Sequence, residues 1–445
     1  MTCNPDSSIY QELYQRTVGH AVINTHAHHL PEAEFASYDL DSLLRNSYVS
    51  WCGVNFDSTP ESRLHFLERV RYQAYFVWLQ KSLQELYAFS EPLNATNWER
   101  ISDQIQQANQ EPGRQMRLLT GQCAYRKIVL DAYWNPGSDN GNPVIYRPSF
   151  RINAFHFGYG PWSVDQDGNS PYTLYSHPFI TDLDKYLEWV RQKIIEKKAQ
   201  GCVALKLPIA YDRGLDFAET PYHQAQAAFG RLTAAFSEAP QKPQSVEQSN
   251  SVASISSSVP VQPDSELPPV PGVSSADIKV FQDFLFFQIC RQAAELDLPV
   301  QVHTGMGQGR RTNALWLQEV IQKNPQTRFV LLHGGYPWIE DIPALVRLYP
   351  NVFADLCWLP LGSTRAGKFL LHELIENATS DKVMWGCDTW TAEESYGALL
   401  SLRCVLCSVL AEKVSDGYLT TQDAYQIIDN ILYRNAADFF RLKVT

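Results

Sequence analysis

The amino-acid sequence predicts a closed (β/α)8 barrel, the TIM-barrel form of the α/β class. Short apolar runs, typical of parallel strands buried on both faces, alternate with segments that carry apolar residues at helical spacing. Such alternation indicates βαβ units, and eight predicted strands match the number that closes a barrel. A doubly wound open sheet is also compatible with the alternation. However, no Gly-x-Gly-x-x-Gly motif follows the first strand, which disfavours the dinucleotide-binding version of that fold.

The predicted strands and helices follow one another along the chain. The strands are centred near residues 22, 127, 152, 204, 301, 331, 354 and 385. The clearest helices are Thr181–Ala199, Ala276–Leu296, Asn313–Lys323, Ile339–Tyr349 and Phe369–Asn377, with further helix from residue 393 onwards. The first of these begins at a Thr cap followed by acidic residues and stops before a glycine, which are the usual helix boundaries.

Two segments interrupt the repeating pattern. Residues 40–117 are predicted to be mostly helical and lie between the first and second strands, so we expect an insertion at the catalytic face that forms a lid or a subunit contact. Residues 237–275 are rich in Ser and Pro, a composition that cannot bury a core, and we expect a disordered loop after the fourth strand. Both are predicted to be insertions into one barrel that occupies residues 1–445.

Composition and charge exclude several functional classes. The net charge is -11, from 37 basic and 48 acidic residues without a basic run, which argues against nucleic-acid binding but allows a local cationic pocket. No stretch of about 18 apolar residues is present, so no membrane span is expected. Nine cysteines scattered in apolar surroundings, and an N-terminus without a secretory pattern, predict reduced thiols and a cytoplasmic location.

Titratable or ligating side chains recur where the predicted strands end. They are His26 and His28, Lys206, His303, His333 and Asp388. Residues two apart on a strand share a face, and the carboxyl ends of barrel strands surround the active site. Buried polar groups are costly unless they are paired or bind a metal, so five such strand ends together indicate a metal site for a divalent ion of the zinc, manganese or iron type.

These strand ends resemble the metal-binding motifs of the amidohydrolase superfamily. The nearest resemblance is to its branch of TIM-barrel metal-dependent hydrolases and decarboxylase-like members (the amidohydrolase-2 branch), which includes the amidohydrolase-like domain of FluG proteins. The motifs that carry the resemblance are His26-Ala27-His28, His303-Thr304-Gly305, His333-Gly334-Gly335, Gly386-Cys387-Asp388 and the C-terminal segments Asn430–Leu432 and Asn435–Phe440.

The resemblance implies a role for each matching residue. His26, His28, His303 and Asp388 would bind one divalent ion, zinc by expectation with manganese or iron as alternatives. His333 would lie beside the metal and act on substrate or water. Two arrangements stay open for Lys206. In two-metal members of the superfamily a carboxylated lysine on the fourth strand bridges the ions, whereas in a one-metal site Lys206 would contact an anionic substrate.

The implied activity is that of a metal-dependent hydrolase, in which a metal-activated water attacks a small-molecule amide, lactone or related carbonyl substrate. Asp388 would take the proton of the water and pass it to the leaving group, and His333 would help to stabilise the oxyanion. A metal-dependent decarboxylase of a small carboxylic acid and a uronate-type isomerase use similar ligands and stay open. A binding or scaffold protein is disfavoured by the intact ligand set.

Substrate contacts are predicted on the segment after the fourth strand. Lys206, Tyr211 and Arg213 are the candidates, since a Lys and an Arg on one loop can clamp a carboxylate, although a surface ion pair explains Arg213 equally well. Trp358 and Trp390 are candidates for the pocket wall or for the core. We expect a small-molecule partner, anionic in character, with neither nucleic acid nor membrane, and leave homo-oligomer formation open.

Overall fold

The computed structural model describes residues 7–238 and 272–443 and confirms the predicted barrel. Eight parallel strands form one sheet in which each strand pairs with the next along the chain. The strands are β1 Val22–Ala27, β2 Tyr125–Leu130, β3 Tyr146–Arg151, β4 Ala204–Leu207, β5 Val300–His303, β6 Phe329–Leu332, β7 Val352–Asp355 and β8 Val383–Met384.

Backbone hydrogen bonds connect β1 to the segment around β8, which brings the sheet to near closure. The N–H of Thr25 donates to the carbonyl of Trp385 at 3.2 Å, and the N–H of Asp388 donates to the carbonyl of His26 at 2.9 Å. The two segments that carry the outermost candidate ligands along the chain, His26 and Asp388, are therefore held side by side.

The third strand begins earlier than the sequence indicated. It spans Tyr146–Arg151, whereas the sequence predicts a strand centred near residue 152, and Asn153–Phe157 form a short 3-10 helix instead. The first half of β3 contains polar residues and Pro148, which hide the apolar pattern by which buried strands are recognised.

Helices surround the barrel and form the insertion after β1. They are α1 Ser8–Thr17, α2 Leu40–Arg45, α3 Pro60–Val70, α4 Ala74–Leu86, α5 Trp98–Asn109, α6 Arg114–Thr120, α7 Pro171–Leu174, α8 Leu183–Ala199, α9 Tyr222–Glu238, α10 Ser275–Glu295, α11 Gln318–Lys323, α12 Asp341–Leu348, α13 Leu359–Gly362, α14 Thr364–Asn377, α15 Ala392–Ser415, α16 Thr421–Asp429 and α17 Asn435–Phe439. Across the described ranges, none of the helices combines the length and apolar content that crossing a bilayer requires.

Helices α2 to α6 lie between β1 and β2, in the part of the chain where the sequence predicts a helical insertion. They bury a small apolar core of their own, which includes Phe66, Phe76 and Trp98. The predicted disordered loop 237–275 lies outside the described residues except at its two ends.

Helix α4 of the insertion packs closely against α15, which follows β8. Gly397 permits this approach, because a Cβ at this position would lie 2.8 Å from the carbonyl oxygen of Trp78 in α4. The side chain of Ser82 also donates to the backbone carbonyl of Glu393, at 2.6 Å. The insertion is thus fixed to the helix whose first turn adjoins the end of β8.

The close crossing of α4 and α15 predicts the effect of a small substitution. Gly397→Ala should lower the free energy of unfolding by about 1–3 kcal/mol, because the added methyl group meets backbone atoms that cannot rotate away. Gly230→Ala is the matched control, since a Cβ there meets nothing within 4 Å and the helix α9 should gain about 0.5–1 kcal/mol. Urea unfolding measures both, and equal stability of the two variants would contradict the prediction.

Candidate metal centre

Three of the predicted ligands meet at one point. The Oδ1 atom of Asp388 lies 3.1 Å from Nε2 of His26 and 3.2 Å from Nε2 of His28. One ligand atom from each of the three residues falls within a group whose members are at most 4.8 Å apart. The side chains of His26 and Asp388 are buried, and His28 is nearly so. Residues 360 positions apart in the sequence therefore present nitrogen and oxygen ligands to a common centre.

His333 and His303 lie on the other side of Asp388. Nδ1 of His333 is 3.6 Å from Oδ2 of Asp388, and His333 belongs to a second group of possible ligands together with Cys357. The imidazole ring of His303 lies 4.2 Å from that of His333, measured between ring centroids. The structure thus places His303 beside His333, and neither of the two compact ligand groups includes it.

Burial and neighbouring charges shift the pKa values of the candidate ligands towards the forms that bind metals. Burial lowers the pKa of His26 to about 4 and that of His333 to about 3, and it holds the pKa of His303 well below the ordinary value. Burial alone would raise the pKa of Asp388, but the nearby His333 and the two first-strand histidines outweigh it and depress that pKa strongly. At neutral pH the imidazoles of His26, His303 and His333 are therefore neutral and the carboxylate of Asp388 is ionised, which are the forms that coordinate a cation.

Burial acts differently on Cys357. It raises the pKa of the Cys357 thiol well above the ordinary value, so binding a metal through this sulfur would also require the loss of its proton. The three-residue group of His26, His28 and Asp388 is therefore the better metal-binding candidate of the two.

The donor set fits a divalent cation. Nε2 of His303 and both ring nitrogens of His333 are buried and have no hydrogen-bond partner among the described residues. Unpaired buried polar atoms are costly, and imidazole nitrogens grouped with a carboxylate are the ligands that zinc and its neighbours prefer. Nδ1 of His28 lies 2.7 Å from the backbone carbonyl of Asp131, which assigns the proton to Nδ1 and leaves the lone pair of Nε2 directed at the site.

Two of the predicted substrate contacts lie at the centre and one does not. Nζ of Lys206 is buried 3.2 Å from Nε2 of His26, and the ring of Tyr211 lies 4.4 Å from that of His303. The guanidinium of Arg213 instead donates to Asp283 at 2.8 Å and to neighbouring oxygens. The structure therefore does not bring Arg213 to Lys206, because a buried carboxylate on α10 binds its guanidinium.

Tyr48, from the insertion, is a site residue that the sequence analysis missed. Its hydroxyl donates a short hydrogen bond to Oδ2 of Asp388, and burial keeps the pKa of Tyr48 well above 10, so the hydroxyl retains its proton. The backbone N–H of Tyr48 donates to Oε1 of Glu394 at 2.6 Å. Nothing in the local sequence marks this tyrosine, since it lies in a predicted helical region 340 positions before its partner.

Aromatic rings enclose the centre. Trp390 stacks on His28 with 5.6 Å between ring centroids, and Tyr48 packs against Trp390 at 5.0 Å. Trp358 lies edge-on to His333 at 6.1 Å. Both tryptophans that the sequence offered as wall or core residues therefore line the ligand group, where they exclude water and lower the local polarity.

A second missed feature is an ion-pair network behind His28. The buried Arg151, at the end of β3, pairs with Asp131 and Asp167, each at 2.7 Å. Burial would raise the pKa of Asp131, but Arg151 outweighs it and lowers that pKa. The pair fixes the end of β2, whose Asp131 carbonyl orients His28.

Comparisons with known proteins agree with this geometry. The model of the amidohydrolase family, Amidohydro_2, matches residues 268–442. Protein fluG of Emericella nidulans is 32% identical over 150 residues, which are 32% of this chain and 17% of the length of that protein. A uronate isomerase from Thermotoga maritima has a TM-score of 0.71 at 16% identity and covers 99% of this chain and 98% of its own. A Lactobacillus casei protein classed as a metal-dependent hydrolase has a TM-score of 0.65 at 14% identity, over 96% and 97% of the two chains.

Fold and site together define a TIM barrel with a candidate metal centre at the carboxyl ends of its strands. Residues 268–442 match the amidohydrolase family, and together with the fluG relative this match supports a relation to the amidohydrolase superfamily, whose members are generally metal-dependent, as the sequence motifs had indicated. The two structural matches fall below 25% identity and establish the shared fold.

The buried carboxyl of Glu394 predicts how stability depends on pH. Burial raises the pKa of Glu394 from 4.5 to about 8, so the folded protein holds this proton over a range in which the unfolded chain has lost it. The stabilisation by the protonated form is fully present below pH 4.5 and disappears as the pH rises towards 8. Glu394→Gln should abolish this dependence, so the variant gains free energy of unfolding relative to the wild type as the pH rises across that range.

Urea unfolding at several pH values across this window measures the difference. Glu61→Gln, on the exposed surface of α3, is the control for loss of a carboxylate, and its stability should follow that of the wild type at every pH. A constant difference between wild type and Glu394→Gln from acid to alkaline pH would refute the prediction.

Proposed function

We propose that this protein is a metal-dependent hydrolase that directs a metal-activated water at the carbonyl of a small-molecule amide, lactone or related substrate. The observation that supports it most is the buried group of His26, His28 and Asp388, whose ligand atoms lie within 4.8 Å of one another at the carboxyl ends of the strands. The match of residues 268–442 to the amidohydrolase family and the likeness to fluG support the same reaction class.

The ligand roles follow from the contacts at the centre. We propose His26, His28 and Asp388 as ligands of one divalent ion, with His303 as the fourth ligand that the sequence motifs imply. Zinc is the proposed ion, with manganese and iron as alternatives, and a second ion would require Lys206 to be carboxylated. When bound, such an ion supplies Lewis acidity, which lowers the pKa of water towards about 7 and polarises a carbonyl.

Asp388 is the proposed proton carrier. Its depressed pKa keeps it ionised at neutral pH, so it can accept the proton of an attacking water and return it to the leaving group. Its two oxygens have different neighbours, since Oδ1 faces His26 and His28 while Oδ2 accepts the hydroxyl proton of Tyr48. The hydrogen bond to Tyr48 therefore fixes the orientation of the carboxylate during proton transfer.

His333 and Lys206 are proposed to act on the substrate. His333 is neutral and buried, and a ring N–H that has no protein acceptor can donate to the oxyanion that develops on the carbonyl. Lys206 and Tyr211 lie beside the histidines and are proposed to contact an anionic group of the substrate. The contacts of Arg213 with Asp283 do not favour such a role, and we leave it out of the proposed site.

Metal content tests the proposed centre. The purified wild-type protein should contain about one equivalent of divalent metal per chain by elemental analysis, and His28→Ala should bind it at least ~10-fold more weakly because a direct ligand is lost. His65→Ala, exposed on α3, is the control for histidine loss and should retain the metal. Full metal content in His28→Ala would refute the ligand assignment, and two equivalents that fall to one in Lys206→Met would establish the two-metal alternative.

Product analysis separates hydrolysis from the competing reactions. In a screen of small amides, lactones, carboxylic acids and uronates, the metal-loaded protein should convert a substrate by addition of water, which raises the summed product mass by that of one water. Release of carbon dioxide would identify a decarboxylase instead, and a product of unchanged mass would identify an isomerase. Conversion that persists in metal-free His28→Ala would refute all three metal-dependent reactions.

A further inference from the structure

Two adjacent glutamate side chains at the start of α15 hold the helical insertion. Glu393 accepts hydrogen bonds from the hydroxyl of Tyr87 at 2.9 Å and from the side-chain amide of Gln115 at 3.0 Å. Glu394 accepts the backbone N–H of Tyr48 at 2.6 Å. All of these groups are buried, so each hydrogen bond forms where water cannot replace it.

Glu394 belongs to the same short segment as the candidate ligand Asp388. The segment enters α15 through Thr391, whose hydroxyl caps the helix by accepting the N–H of Glu394 at 3.1 Å. The Glu394 residue is therefore held by the helix cap through its backbone and by Tyr48 through its side chain. Glu394 is 2% exposed and belongs to neither of the two compact ligand groups.

Tyr48 links Glu394 to Asp388 in the candidate metal centre. Its backbone is bound by Glu394, its ring packs on Tyr75 and Trp390, and its hydroxyl donates to Oδ2 of Asp388. Because Oδ2 is occupied by this donor, Oδ1 is the oxygen that faces His26 and His28. The conformation of residue 48 thus determines which oxygen of Asp388 is offered to a metal.

We propose that Glu394 is a positioning residue of the metal centre: it fixes the backbone of Tyr48, and through the Tyr48 hydroxyl it orients Asp388 for one-oxygen coordination. This inference rests on the proposed metal centre. It assigns to the insertion a part in metal binding that the barrel strands alone do not supply. Glu393 binds the same insertion at the same helix turn, but its side chain accepts from Tyr87 and Gln115 where that of Glu394 accepts from Tyr48. Variants of the two glutamates therefore distinguish orientation of Asp388 from attachment of the insertion.

Amide hydrogen exchange tests the first step. In metal-free full-length protein, Glu394→Ala should accelerate exchange of the Tyr48 amide by at least ~10-fold, because its acceptor is removed. Glu394→Gln keeps an oxygen acceptor and should restore protection. An unchanged Tyr48 amide in Glu394→Ala would overturn the inference whatever the metal content of the protein.

Cobalt binding tests the second step. Co²⁺ is the probe, because its visible absorption reports ligand geometry as well as affinity. Glu394→Ala and Tyr48→Phe should each weaken Co²⁺ binding by about 10-fold and alter the spectrum, as loss of a group that orients a ligand typically does. The double variant should be no weaker than either single variant, since both changes break one connection. Glu394→Gln should behave as the wild type.

Glu393→Ala is the control for a merely structural role. It should lower the melting temperature, because the insertion loses two hydrogen bonds, and yet leave the Co²⁺ spectrum and dissociation constant unchanged. Equal effects of Glu393→Ala and Glu394→Ala on Co²⁺ binding, or none in Glu394→Ala, would overturn the positioning role. Failure of the wild type to bind Co²⁺ at all would instead overturn the proposed metal centre, and the inference with it.

Discussion

The site depends on the burial of an ionised carboxylate among neutral imidazoles. Burial by itself raises the pKa of Asp388, and the histidines around it, His333 first, reverse that effect. An isolated buried charge would cost several kcal/mol, so every element that delivers one of these partners must be held firmly. The barrel, the loops above it and the insertion all contribute a group to this one carboxylate.

The barrel holds the partners of Asp388 in place because it brings the ends of its strands next to one another. Parallel strands that pair in sequence order bring their carboxyl ends to one rim, and the backbone hydrogen bonds between β1 and the segment after β8 unite the two ends of the sheet. His26 and Asp388 are therefore neighbours through backbone contacts that involve neither side chain. The side chains can be devoted to chemistry because the strands do not need them for pairing.

The insertion after β1 completes the centre and does more than cover it. Its hydroxyl from Tyr48 reaches Asp388, while Glu393 and Glu394 anchor it to the first turn of α15. An insertion attached in this way couples its own position to the geometry of the candidate ligands.

Much of the fold and part of the site were determined by the sequence alone, because those features depend on local pattern. Buried apolar runs, five of which end in a titratable or ligating residue, specify parallel strands and the rim at which His26, His28, His333 and Asp388 meet. The tertiary structure decided everything that depends on pairing across long separations. In the folded chain, β3 begins in a polar part of the sequence, and Arg213 forms an ion pair with Asp283. Tyr48 donates a hydrogen bond to Asp388, which lies 340 positions further along the chain. Such side-chain partners cannot be predicted from hydrophobic periodicity, because hydrogen bonds and ion pairs depend on which side chains lie close together in the folded chain.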